Sequence, residues 1–264
     1  DGPTHQGVND IAYMRHMPNM IVMAPKDENE LQHMLWSALA YGHPASVRFP
    51  KAKGLGVAMD EELRVLPPGR SEVVAEGRDL LFAVGTMVAP AVEAARELAK
   101  DGLSFAVVNA RFVKPLDRDT ILRLARPGGT VVTLEEGIVE GGAGSAVREL
   151  LDREGRFDVR FLALGLPIGA CVLGKSDEIR AAVGLDGPSI VRKIRDFVRA
   201  VRSASRASFS TGKRPSTWPS PCPSSVAAGS SSRRPSTASG STSGAWSDST
   251  SEPRPADSSI ACSS

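Results

Sequence analysis

The chain has 264 residues, with 32 Lys and Arg against 30 Asp and Glu, a formal net charge of +2. So even a balance offers no basic surface for nucleic acid, and no apolar run reaches the ~20 residues needed to span a bilayer. The three cysteines, Cys171, Cys222 and Cys262, form no CxxC pair, which argues against both a zinc site and a disulfide framework. There is no signal-peptide pattern, so the expected setting is cytoplasmic.

The composition changes near residue 202. Before it the chain is rich in Val, Leu, Ala and Ile, enough for one or two domains with a real core. In the first fifty residues, Val8, Ile11, Ala12 and Met14 predict a short helix ending before Pro18. The apolar run 20–24 predicts a buried parallel strand stopped by Pro25. Asp27 caps the next helix with Glu30 three residues on. Leu31, Met34, Leu35 and Ala38 are its expected core face, and Tyr41-Gly42 its end. A second strand, 45–49, stops at Pro50.

Residues 51–70 carry Gly54, Gly56, Pro67, Pro68 and Gly69 without a sustained period, and predict a linker. A second α/β run follows. Strands are expected at 72–75, 80–84, 104–108, 130–134 and 159–163. Helices are expected at 89–100, 118–125, 144–154, 176–183 and 188–201. The fold class is α/β in two parts: residues 1–50, a linker at 51–70, and a second domain at 71–202. Residues 203–264, dominated by Ser, Pro, Thr, Ala and Arg, bury too little apolar surface to fold. They are expected to be a disordered tail or, as the favoured reading, an out-of-frame translation. The chain begins with Asp in what reads as a loop, and is taken as a fragment preceded by further polypeptide.

Asp1-Gly2-Pro3-Thr4-His5 puts a carboxylate and an imidazole four residues apart across a turn. Such a histidine exchanges protons near neutral pH, and a carboxylate beside it fixes its orientation. On these residues alone, a capping or surface histidine explains the pattern equally. Arg48 and Lys51 likewise read as the solvated end of a strand. Glu135-Glu136 are carboxylates at a strand end. The glycines at 141–144 precede a helix, where close helix packing is preferred to a phosphate cradle. Residues 111–117 read as a strand end and loop, with Asp117 capping the helix that follows, and Lys114 reads as a surface charge.

Taken together, Asp1-Gly2-Pro3-Thr4-His5-Gln6-Gly7, Pro18-Asn19-Met20 and Val47-Arg48-Phe49-Pro50 resemble the pyrimidine-binding domain of the transketolase group of thiamine-diphosphate enzymes. Arg111-Phe112-Val113-Lys114-Pro115-Leu116-Asp117, Glu135-Glu136 and Gly165-Leu166-Pro167 resemble that group's C-terminal domain. Within the group, the combination is most similar to the 1-deoxy-D-xylulose-5-phosphate synthases, over about residues 1–201. The resemblance implies a condensation of pyruvate with glyceraldehyde 3-phosphate, with loss of carbon dioxide, in isoprenoid and thiamine precursor biosynthesis. Thiamine diphosphate would be the electron sink, Mg its metal, and a homodimer the assembly. His5 would be the catalytic proton-transfer residue. Asp1, Arg48 and Lys51 would bind substrate, Lys51 standing where the group usually has a phosphate-gripping arginine. The resemblance further implies that the cofactor and metal determinants, a Gly-Asp-Gly loop and an activating glutamate, lie outside this chain, which alone would be inactive. Three alternatives stay open: part of a transketolase, part of a 2-oxo acid dehydrogenase β subunit, or a non-enzymatic partner-binding remnant.

Overall fold

Buried parallel strands carry apolar side chains on both faces, and the centre of this molecule is built from them. A computed structural model describes residues 5–169 and 173–211, all within one compact unit. Helix α1 (Asp10–Met14) leads into strand β1 (Ile21–Met23), helix α2 (Glu28–Ala40) and strand β2 (Ala45–Val47). After an extended segment come β3 (Glu72–Ala75), β4 (Asp79–Ala83), α3 (Val88–Ala99), β5 (Phe105–Asn109) and β6 (Phe112–Lys114). Then follow α4 (Arg118–Leu124), β7 (Thr130–Ile138), α5 (Ala143–Arg153), β8 (Arg160–Leu166), α6 (Ser176–Val183) and α7 (Gly187–Thr211).

The large sheet has the order β3-β5-β4-β7-β8, parallel except for β3, which runs antiparallel to β5. Alternation along β4 divides the core. Leu80 and Phe82 pack with Val108, Ile121, Val147 and Leu151 on one face. Leu81 and Ala83 pack with Val88, Leu98, Ile190 and Ile194 on the other. Each large aliphatic or aromatic side chain so buried contributes about 1.5–3 kcal/mol. No helix among the described residues is long and apolar enough to cross a membrane.

The small sheet, β2-β1-β6, joins the two halves of the sequence. β1 pairs parallel with β2 but antiparallel with β6, which lies beyond the extended segment. The 112–114 stretch, expected as a strand end and loop, is therefore a full partner of the first strand. A polar cluster fastens the same junction. Glu30 of α2 is buried and accepts from Arg111 Nε at 2.6 Å and from Asn109 Nδ2 at 2.9 Å. Lys26 and Arg111 both pair with Glu72, at 2.7 and 3.2 Å.

That cluster rotates α2 away from its expected face. Asp27 Oδ1 caps it through the Glu30 amide at 2.7 Å, as its sequence predicts. The Glu30 carboxylate, however, turns inward and accepts from the Lys26 amide instead of the cap residue. Glu30, His33, Met34 and Ser37 are the buried positions, and Leu35 is exposed. The last helix runs on to Thr211, past the expected limit near 202. The residues after 201 supply Ala and Arg, and no Gly or Pro until Gly212, so nothing local stops the helix. The rest of the expected tail, 212–264, lies outside the described residues.

Candidate active site

In open α/β sheets, ligands bind beyond the carboxyl ends of the strands. A cleft of about 970 Å³ opens there, at the ends of β2, β7 and β8. His5, Arg48 and Lys51 all line it, joined by Asp10, Glu136, Lys175 and Arg180. Asp1 lies outside the described residues, and His5 is exposed. The segment carrying His5 is fixed to the large sheet by the Ile138 amide, which donates to the Val8 carbonyl at 2.9 Å.

Arg48 holds the two halves of the cleft together. Its amide donates to the Met23 carbonyl at 2.9 Å, extending the β1–β2 pairing by one residue. Its Nε pairs with Asp10 at 2.9 Å, and its Nη2 donates to the Glu136 carbonyl at 2.9 Å. The guanidinium is thus partly committed to protein partners. Phe49, Pro50 and Lys51 then form the rim.

The adjacent glutamates of β7 separate. The Glu136 carboxylate lines the cleft, accepting from Arg180 Nε at 2.7 Å and from the Thr86 hydroxyl. Glu135 points into the protein, 1% exposed, and accepts from the Ala143 and Gly144 amides at 2.9 and 2.8 Å. It fills the N-terminus of α5, so this glycine-rich turn is occupied by the chain's own carboxylate. A Cβ on Gly142 would come within 2.5 Å of Glu135 Oε2 and 2.2 Å of the Ile138 carbonyl oxygen. Burial pushes Glu135 up to about 7 against those two amides and the charges of Arg48 and Arg15.

The lining cations, Arg48, Lys51, Lys175 and Arg180, outnumber the carboxylates, Asp10 and Glu136, four to two. Such a surplus beside a histidine suits an anionic ligand that exchanges a proton. Among the described residues, no three His, Cys, Asp or Glu side chains converge as metal ligands do. The charge balance of the cleft therefore suits an acidic substrate. Sequence reasoning missed Asp10, Glu136, Lys175 and Arg180 as members of the cleft. Glu136 was singled out only as one of two strand-end carboxylates, and nothing local marks the other three.

Residues 1–55 match the transketolase pyrimidine binding domain family, and residues 69–190 the transketolase C-terminal domain family. The chain is 52% identical over 200 residues to 1-deoxy-D-xylulose-5-phosphate synthase 1 of Geobacter metallireducens, covering 75% of this chain and 32% of that protein. It is 48% identical over 201 residues to the corresponding synthase 1 of Geobacter sulfurreducens, covering 76% and 32%. To the Pelotomaculum thermopropionicum synthase it is 48% identical over 195 residues, covering 74% and 31%. The chain thus spans about a third of the length of these curated relatives. Among solved structures, a split-gene transketolase described as an inactive beta4 tetramer superposes with a TM-score of 0.66 at 32% identity, covering 75% of this chain and 64% of that one.

Proposed function

We propose that this chain, which belongs to the transketolase family through its pyrimidine-binding and C-terminal domains, forms the acceptor-binding part of a 1-deoxy-D-xylulose-5-phosphate synthase. The full-length enzyme would condense pyruvate with glyceraldehyde 3-phosphate, using thiamine diphosphate and Mg, as a homodimer. The observation that carries this reading is the single cleft that gathers His5, Arg48 and Lys51 under a surplus of positive charge.

In this reading His5 exchanges a proton with the acceptor's oxygen and Asp1 holds its hydroxyls. Lys51 supplies charge to the phosphate as a point cation rather than a bidentate fork. Arg48, bound to Asp10 and to the Glu136 carbonyl, adds field and keeps the cleft walls in register. The metal and diphosphate would be held by polypeptide outside this chain. What supports that is the sequence, which has no Gly-Asp-Gly tripeptide. The 264-residue chain alone would then neither hold the cofactor tightly nor turn over.

Two measurements test this. Calorimetric titration of the chain with thiamine diphosphate and Mg should show no micromolar binding; finding it refutes the assignment of those determinants elsewhere. In the full-length enzyme, pyruvate with glyceraldehyde 3-phosphate should give 1-deoxyxylulose 5-phosphate, and His5→Ala should lower kcat about 10²–10⁴-fold. The likeness to a split-gene transketolase favours a second reading, a transketolase subunit. Turnover with a ketose donor in place of pyruvate would select it.

A further inference from the structure

One face of α6 is given to the cleft. Ser176, Ile179, Arg180 and Val183 recur at helical spacing, and all four line it. No residue of this helix is buried. Polar contacts, and not core packing, therefore decide where Arg180 points.

Those contacts meet on Glu136. Its Oε1 accepts from Arg180 Nε at 2.7 Å, and its Oε2 accepts from the Thr86 hydroxyl. Thr86 lies in the turn that follows β4, and Glu136 lies near the end of β7, which is paired with β4. β4 is followed by β5 on one side, and β7 by β8 on the other. Such a switch point is where open α/β sheets take a ligand. Here the chain's own carboxylate occupies it and holds the arginine by one edge. A guanidinium has five N–H donors. Arg180 gives Nε to Glu136, and Nη1 donates to Asp177 at 3.3 Å, a contact weakened by the 95% exposure of that aspartate. Nη2 has no hydrogen-bond partner among the described residues, and the side chain is 23% exposed. An arginine anchored at one edge, with donors left at the other, is prepared for an oxyanion.

A phosphate monoester carries about −1.5 to −2 charge at neutral pH, and a lysine answers it with one point charge. We infer that Arg180 is a second grip on the acceptor's phosphate, donating from Nη2 to one of its oxygens while Glu136 holds Nε. The inference rests on the proposed reading of this cleft as the acceptor site.

The test uses the 264-residue chain, inorganic phosphate as the probe, and NMR titration read at the His5 ring and the Arg180 Nε–H. In the parent chain both signals should move with one midpoint. An Arg180 signal that stays still while His5 moves overturns the inference, and no movement of either overturns it together with the acceptor reading. Arg180→Gln should weaken binding about tenfold, the loss of one charge-assisted hydrogen bond in an open cleft. Arg180→Lys should remain about threefold weaker than the parent, because an ammonium has no fork to share between Glu136 and the phosphate. Full recovery in Arg180→Lys would mean that charge alone acts, and overturns the grip. Glu136→Gln keeps an oxygen for Nε and removes a competing charge, so affinity should hold or rise by up to about threefold. If it weakens binding as much as Arg180→Gln does, the pair only supports α6 and the inference falls. Lys51→Gln separates the inference from the reading beneath it. Should Lys51→Gln weaken binding and Arg180→Gln not, the acceptor reading stands and the inference alone fails. Should Arg180→Gln weaken it and Lys51→Gln not, the role given to Lys51 falls and the grip of Arg180 is upheld.

Discussion

Replacing Glu135 by Gln tests the electrostatics behind the cleft. The carboxyl is buried at the N-terminus of α5, and burial raises it from 4.5 to about 7. An acid with a raised folded-state pKa binds its proton more tightly when folded. Its contribution to stability is therefore complete below about 4.5 and is lost as pH rises through about 7. At about 1.4 kcal/mol per pH unit, the full change across that window is about 3 kcal/mol. Glutamine keeps the shape and cannot titrate. Its NH2 opposes one of the two amides, a constant cost of about 1–3 kcal/mol at every pH. Urea unfolding of both proteins at several pH values between 4.5 and 8 isolates the titrating part, since all other groups cancel in the difference. The stability of the parent relative to Glu135→Gln should rise by about 3 kcal/mol on acidification. Parallel curves would refute the argument and place the carboxyl at an ordinary value.

Other consequences are equally direct. Glu30→Ala strands Arg111 and Asn109 beside an empty space; we expect a loss of about 3–5 kcal/mol in urea unfolding, with a single transition, since the cluster joins both sheets. Asp117 accepts from the Thr120 and Ser71 amides at 3.1 and 2.8 Å. Burial raises its pKa, but those amides outweigh it and the net shift is downward. Its contribution should be present at neutral pH and lost on acidification through its folded value, and Asp117→Ala should cost about 1–2 kcal/mol by thermal melting near pH 7. Gly142→Ala forces a methyl against the Ile138 carbonyl and should leave no cooperative unfolding transition in circular dichroism. In the full-length enzyme, Lys51→Arg should lower KM for the phosphorylated acceptor; an unchanged KM removes Lys51 from the site.

The sequence disclosed most of what is local. The Asp27 and Asp117 caps, the strand at 72–75 and the helix at 176–183 each follow from a few adjacent residues, and each lies where its signal places it. What depends on distant partners was hidden. The face of α2 was misjudged because Glu30 and His33 are polar, and polar residues read as solvent-facing until their partners Arg111, Asn109 and Asp60 are seen. The strand at 112–114 was misjudged because its partner lies ninety residues earlier. For the cleft, the family motifs carried His5, Arg48 and Lys51. Asp10, Lys175 and Arg180 have no motif of their own, and the Glu135-Glu136 motif does not tell which carboxylate turns to the cleft.

These hidden contacts explain how an open cleft keeps its shape. One wall ends at Arg48 and the other at Glu136, and the Arg48 side chain crosses between them. A single half-buried hydrogen bond contributes about 1 kcal/mol and would not hold two independent domains in register. The walls do not rely on it alone. β1 sends Val22 into the core of the large sheet while Ile21 and Met23 pack against α2 and Phe112. Shifting one wall against the other would therefore unpack two cores and expose the Glu30–Arg111 pair. Arg48 accordingly needs only to orient groups already held within reach.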